Sequence, residues 1–120
     1  MHSDQQIKHW TPICELAEIV PNTGVAALVD DQQVAIFHVI DGSACEPQAR
    51  VFAIGNFDPN SDAAVLSRGL VGSLGERIVV ASPIYKQHFD LQTGECLEEP
   101  ANSVPAWPAR IADGKVWIGA

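Results

Sequence analysis

Residues 33–40 read Gln-Val-Ala-Ile-Phe-His-Val-Ile. Side chains alternate across a strand, so Val34, Ile36 and Ile40 share one face, and Ala35, Phe37 and Val39 share the other. A strand apolar on both sides has to be covered on both sides. That requirement excludes a single exposed sheet and places this segment at the centre of a packed β structure. The preceding run Val25-Ala26-Ala27-Leu28-Val29 and the Asp30-Asp31 pair between them predict a hairpin.

The rest of the chain reads the same way. Arg50 to Asn56 forms a strand with Phe52 and Ile54 on one face, and Asp58-Pro59-Asn60-Ser61-Asp62 is a loop of turn formers. Asp62 to Arg68 is expected as a short helix, with Ser61 as its N-cap and Gly69 ending it. Gly72-Ser73-Leu74-Gly75 is expected as a turn before a strand over Arg77 to Ala81. Val79 to Gly94 continues into a Ser-Pro turn and a polar strand beginning near Tyr85. Ala109–Ala112 and Lys115–Ile118 flank Asp113-Gly114, a strong hairpin signal. Short strands at this spacing predict an all-β antiparallel sandwich or barrel with one short helix. With 120 residues, 47% of them hydrophobic, the chain suits one domain over residues 1–120, and residues 1–8 are expected to form a flexible end.

Fifteen acids against seven bases give a net charge of −8, which repels phosphate backbones and disfavours nucleic acid as a partner. No apolar run approaches the ~20 residues needed to span a bilayer, and Met1-His2-Ser3-Asp4 is not a signal peptide. Cys14, Cys45 and Cys96 form no Cys-x-x-Cys pair. They fit reduced thiols in a cytoplasmic protein better than a disulfide framework or zinc site. No Gly-rich nucleotide or phosphate loop is present. His38 is expected to be hydrogen-bonded inside the sandwich. His88 belongs at the surface or rim, and His2 and His9 at the mobile end. Arg68 either pairs with a nearby acid or is an exposed helix-end charge.

The order of the pieces is more specific than their types. Trp10 and Pro12 precede Glu15-Leu16-Ala17-Glu18-Ile19-Val20-Pro21. The hairpin follows, then a strand ending in Asn56, then Ser67-Arg68-Gly69-Leu70-Val71, Ser82-Pro83-Ile84-Tyr85, Phe89-Asp90-Leu91 and Thr93-Gly94. From about Trp10 to Trp117 this resembles the Rieske iron–sulfur domain. In that family two loops hold a 2Fe–2S cluster, two thiolates on one iron and two imidazoles on the other. The resemblance places Asp58 and Ser82 at the cysteine positions, and Asn60 and Tyr85 at the histidine positions. None of the four is a ligand such a cluster uses. Asp58, Asn60 and Ser82 can instead satisfy turn backbone groups, and the Tyr85 ring is expected to fill the vacated space.

The strings Val34-Ala35-Ile36-Phe37, Asp58-Pro59, Leu66-Ser67-Arg68-Gly69-Leu70 and Ala81-Ser82-Pro83 followed by Lys86-Gln87 narrow the likeness. They are similar to the small subunits of bacterial assimilatory NAD(P)H-dependent nitrite reductases. That likeness implies a non-catalytic subunit without a cofactor of its own. Its partner would be a large catalytic subunit carrying FAD, siroheme and an iron–sulfur cluster, and reducing nitrite to ammonium. The tip formed by the two loops is then the expected docking face: Phe57, Asp58, Pro59, Asn60, Pro83, Ile84, Tyr85, Lys86 and Gln87. Alternatives are a stand-alone interaction module on the same fold, an electron-transfer ferredoxin, and an enzyme using Cys96 or the Asp58 and Asp62 carboxylates.

Overall fold

The structure, a computed structural model, describes residues 9–41 and 48–119. The expected flexible end over residues 1–8 (His2 with it), and Cys45, lie outside that range. The described residues form twelve strands: β1 Trp10–Glu15, β2 Thr23–Val29, β3 Gln32–Asp41, β4 Gln48–Gly55, β5 Phe57–Asp58, β6 Ala63–Ala64, β7 Leu70–Leu74, β8 Arg77–Ala81, β9 His88–Asp90, β10 Ala106–Trp107, β11 Ala109–Ala112 and β12 Lys115–Gly119. Every strand pairing is antiparallel.

β3 lies inside a sheet of order β10-β4-β3-β2. Residues 34–39 are all buried, and the two faces of the strand serve different cores. Ala35, Phe37 and Val39 pack with Phe52, Ile54, Leu66, Val80, Phe89 and Leu91, beneath the β7-β8-β9 sheet. Val34 and Ile36 pack with Ile19, Val51, Ala53, Val116 and Ile118, against the β1-β12-β11 sheet. Each large side chain so buried contributes about 1.5–3 kcal/mol. The two-faced pattern of β3 is therefore what joins the two halves.

The tight turns follow local chemistry. Asp30 and Asp31 both take left-handed conformations, as do Asp113 and Gly114, matching the two-residue hairpins expected at both places. His38 Nδ1 donates to the Ile19 carbonyl at 2.8 Å in the interior, as anticipated.

Three local expectations are corrected. The helix over Asp62–Arg68 does not form: Ala63–Ala64 pairs back onto Phe57–Asp58, and only Leu66–Arg68 winds, as one 3₁₀ turn. The Ser61 hydroxyl is not a cap, because it donates to Asp58 Oδ2 at 2.9 Å. Gly72 to Leu74 belong to β7, and the turn is confined to Gly75 and Glu76. The polar strand starts at His88, not Tyr85, because Lys86 adopts a left-handed conformation and closes the turn first.

Candidate functional site at the two-loop tip

The loop after β5 and the loop between β8 and β9 meet at one end of the molecule, and Asp58 joins them. Its side chain is fully buried. Oδ1 accepts the Asn60 backbone N–H at 2.9 Å, an Asx turn. Oδ2 accepts the Ser61 hydroxyl at 2.9 Å and the Ser82 hydroxyl at 2.6 Å. Ser82 is also fully buried. Its N–H donates to Gln87 O at 2.9 Å, and its carbonyl accepts the Lys86 N–H at 3.1 Å, which shapes the second loop.

Asn60 is held from a third direction. Asn102 Nδ2 donates to Asn60 Oδ1 at 2.7 Å, and Asn60 Nδ2 reaches Cys96 Sγ at 3.7 Å. Cys96, outside both loops in sequence, arrives because its backbone bridges Phe89 and its N–H donates to the Ser103 hydroxyl oxygen at 3.0 Å. The sequence reading missed both Cys96 and Asn102 here. Only long-range pairing brings them in, so no local signal announces them.

Tyr85 is corrected. Its ring is 62% exposed and plugs nothing; the turn closed by Ser82, Lys86 and Gln87 leaves it on the outside, beside half-exposed Ile84. Phe57 is exposed on the first loop. Leu70, which the sequence reading passed over, is 77% exposed and pairs with Ala81, next to Ser82. Asp58, also expected at the docking face, is fully buried and shapes the tip from within. Pro83, Ile84, Tyr85 and Lys86 are exposed, while Pro59, Asn60 and Gln87 are half-buried. Arg68 is exposed, with no acid at ion-pair distance among the described residues.

His88 lies at the rim, as expected, with an unforeseen partner. Glu98 Oε1 accepts the His88 backbone N–H and Oε2 faces His88 Nδ1, both at 2.7 Å. Burial tends to raise the Glu98 pKa, but the bonds from His88 outweigh it and hold the carboxyl below its ordinary value. Nearby, Arg77 ion-pairs with Glu95 at 2.6 Å and Asp90 at 3.6 Å. Its own pKa is raised chiefly by the Glu95 hydrogen bond. The Cys14 thiol is pushed up by burial and then by Glu18 and Glu15, which makes it a poor nucleophile.

A 2Fe–2S cluster does not fit these residues. The four positions offer a carboxylate, an amide, a hydroxyl and a phenol, with neither thiolate nor imidazole among them. The two atoms standing at the thiolate positions touch each other at 2.6 Å, so no iron can sit between them. Among the described residues no group of three or more His, Cys, Asp or Glu side chains could hold a metal ion.

Residues 9–119 match the Rieske-like 2Fe–2S domain family. This chain belongs to that family. At the positions that the resemblance assigns to the cluster ligands it carries Asp58, Asn60, Ser82 and Tyr85. It is 43% identical over 112 residues to the nitrite reductase (NADH) small subunit of Escherichia coli K12, covering 93% of this chain and 98% of that one. The solution structure of the NAD(P)H nitrite reductase small subunit of Erwinia carotovora superposes with a TM-score of 0.75 at 43% identity, covering 95% of this chain and 83% of the other. A third relative, the NAD(P)H nitrite reductase large subunit of Klebsiella oxytoca, is 38% identical over 110 residues. That match takes in 92% of this chain but only 11% of the relative. Its small-subunit relatives place the chain in the nitrite reductase branch of the family. No helix among the described residues is long and apolar enough to cross a membrane.

Proposed function

We infer that this chain works as one Rieske-like domain, the non-catalytic small subunit of a cytoplasmic NAD(P)H-dependent nitrite reductase, and that it docks on the large subunit. Reduction of nitrite to ammonium is a multi-electron reaction that side chains cannot carry; cofactors do it. In this reading FAD, siroheme and an iron–sulfur cluster belong to the large subunit, and this chain supplies a surface. The observation that carries the reading is the Asp58–Ser82 hydrogen bond at 2.6 Å. It closes the tip with ordinary polar chemistry in a chain that matches nitrite reductase small subunits over nearly its whole length.

The tip suits docking. Phe57, Ile84 and Tyr85, at 48%, 46% and 62% exposure, stand around loops fixed by buried hydrogen bonds. Rigid aromatic and aliphatic anchors of this kind dominate binding energy at interfaces. The test is copurification with a siroheme-bearing large subunit from cells grown on nitrate or nitrite. Wild-type chain should bring that subunit down, and Ile84→Glu with Tyr85→Ser should bring down much less. Failure of the wild-type chain to retain it would overturn the assignment.

A further inference from the structure

A groove of about 370 Å³ runs beside the first loop, walled by Gln33, Phe57, Pro59, Val104, Pro105 and Trp107. No residue lining it is charged, although the chain carries a net charge of −8. The groove between β4 and β11, by contrast, includes Arg50 and Arg110. Leu28 stands directly across from Gln33 in the β2–β3 pairing and is 67% exposed, and directly opposed residues share a face of the sheet.

Aromatic residues without charge are what the centre of a protein interface is made of. Flat proline and aromatic walls also suit an extended peptide, whose backbone can bond to uncharged amides such as that of Gln32 at the rim. An anionic cofactor would find no cation here.

The groove is continuous with the docking tip through Phe57 and Pro59, which belong to both. In the Klebsiella oxytoca relative the matching domain is one part of a single large-subunit chain, so in that protein the domain is tethered to the large subunit itself. We propose that the groove between Phe57 and Trp107 seats an extended, uncharged apolar segment of the large subunit. The inference rests on the docking reading above and adds a second contact beside the tip.

The experiment measures the affinity of the purified chain for the large subunit of the same organism, by titration calorimetry or surface immobilisation. Gln32→Glu and Pro105→Glu each place a charge in the groove lining without substituting a residue of the tip loops. Leu74→Glu, at the end of β7 opposite the tip, is the control, and circular dichroism verifies that each variant is folded. The groove variants should each weaken binding about tenfold or more, with Leu74→Glu near wild type. Wild-type affinity in both groove variants would overturn this inference and leave the tip reading standing. Loss of self-association instead, seen by size-exclusion chromatography, would overturn it by naming a second copy of the chain as the occupant. No binding by the wild-type chain would overturn the docking reading and this inference with it.

Discussion

Asp58 and Ser82, 24 residues apart in sequence, meet side chain to side chain at 2.6 Å with both residues fully buried. Together with the Ser61 hydroxyl and the Asn60 N–H, this contact uses both carboxylate oxygens. The tip is therefore closed by hydrogen bonds to one charge in a desolvated place, where such bonds are strong and their loss is costly.

Removing the carboxylate should expose that cost. Asp58→Ala leaves the Ser61 and Ser82 hydroxyls and the Asn60 N–H without their acceptor, and is expected to lose about 3 kcal/mol or more of unfolding free energy. Ser82→Ala removes one donor and should lose about 1.5–3 kcal/mol. Urea denaturation measures both. Changes under about 0.5 kcal/mol, the scale of ordinary surface substitutions, would mean that the clasp does not hold the loops.

His38 supports the other core. Its Nδ1–H satisfies the Ile19 carbonyl, while Nε2 is buried without a partner among the described residues. His38→Ala should cost about 1–3 kcal/mol for the abandoned carbonyl, and more if a cavity remains. A thermal or chemical melt that does not move would contradict the assignment of that bond.

Glu98 should give acid sensitivity of a defined sign. Its folded pKa is lowered from the ordinary value of 4.5, because the His88 bonds outweigh burial. Its contribution to stability is thus present above the unfolded pKa and lost as pH falls through the folded one. Glu98→Gln should lower stability at neutral pH, flatten the profile in that acidic window and differ little from wild type below it. An identical acid slope in the variant would show that the His88–Glu98 pair has no part in it.

Gly94 has φ +80, and a Cβ there would lie 2.1 Å from the Val104 carbonyl oxygen. Both the left-handed backbone and the close approach exclude a side chain. Gly94→Ala is expected to destabilise by about 1–3 kcal/mol and to loosen the Val104 N–H bond to the Gly94 carbonyl. Hydrogen exchange at Val104 would report the loosening, and unchanged protection would argue against it.

The sheet framework was legible where the signal is local. Alternation in residues 34–39 announced a two-sided strand, and Asp113-Gly114 announced its hairpin. Ser61 misled because its hydroxyl had a better acceptor nearby, the buried Asp58 carboxylate, so the helix it was expected to cap never starts. Tyr85 misled because the left-handed Lys86 ends the turn and leaves the ring outside, a matter of backbone path rather than residue type. Cys96 and Asn102 were invisible as supports of Asn60, since sequence neighbours do not place them there. The resemblance assigns Asp58, Asn60, Ser82 and Tyr85 to the ligand positions, whereas the side-chain bond between Asp58 and Ser82 had no local signal.

Optical absorption and iron content of the purified wild-type chain test the central claim most directly. A tip held by Asp58 and Ser82 predicts a colourless protein with iron far below one atom per chain, even after anaerobic reconstitution with iron and sulfide. Visible bands of a 2Fe–2S centre together with stoichiometric iron would contradict it.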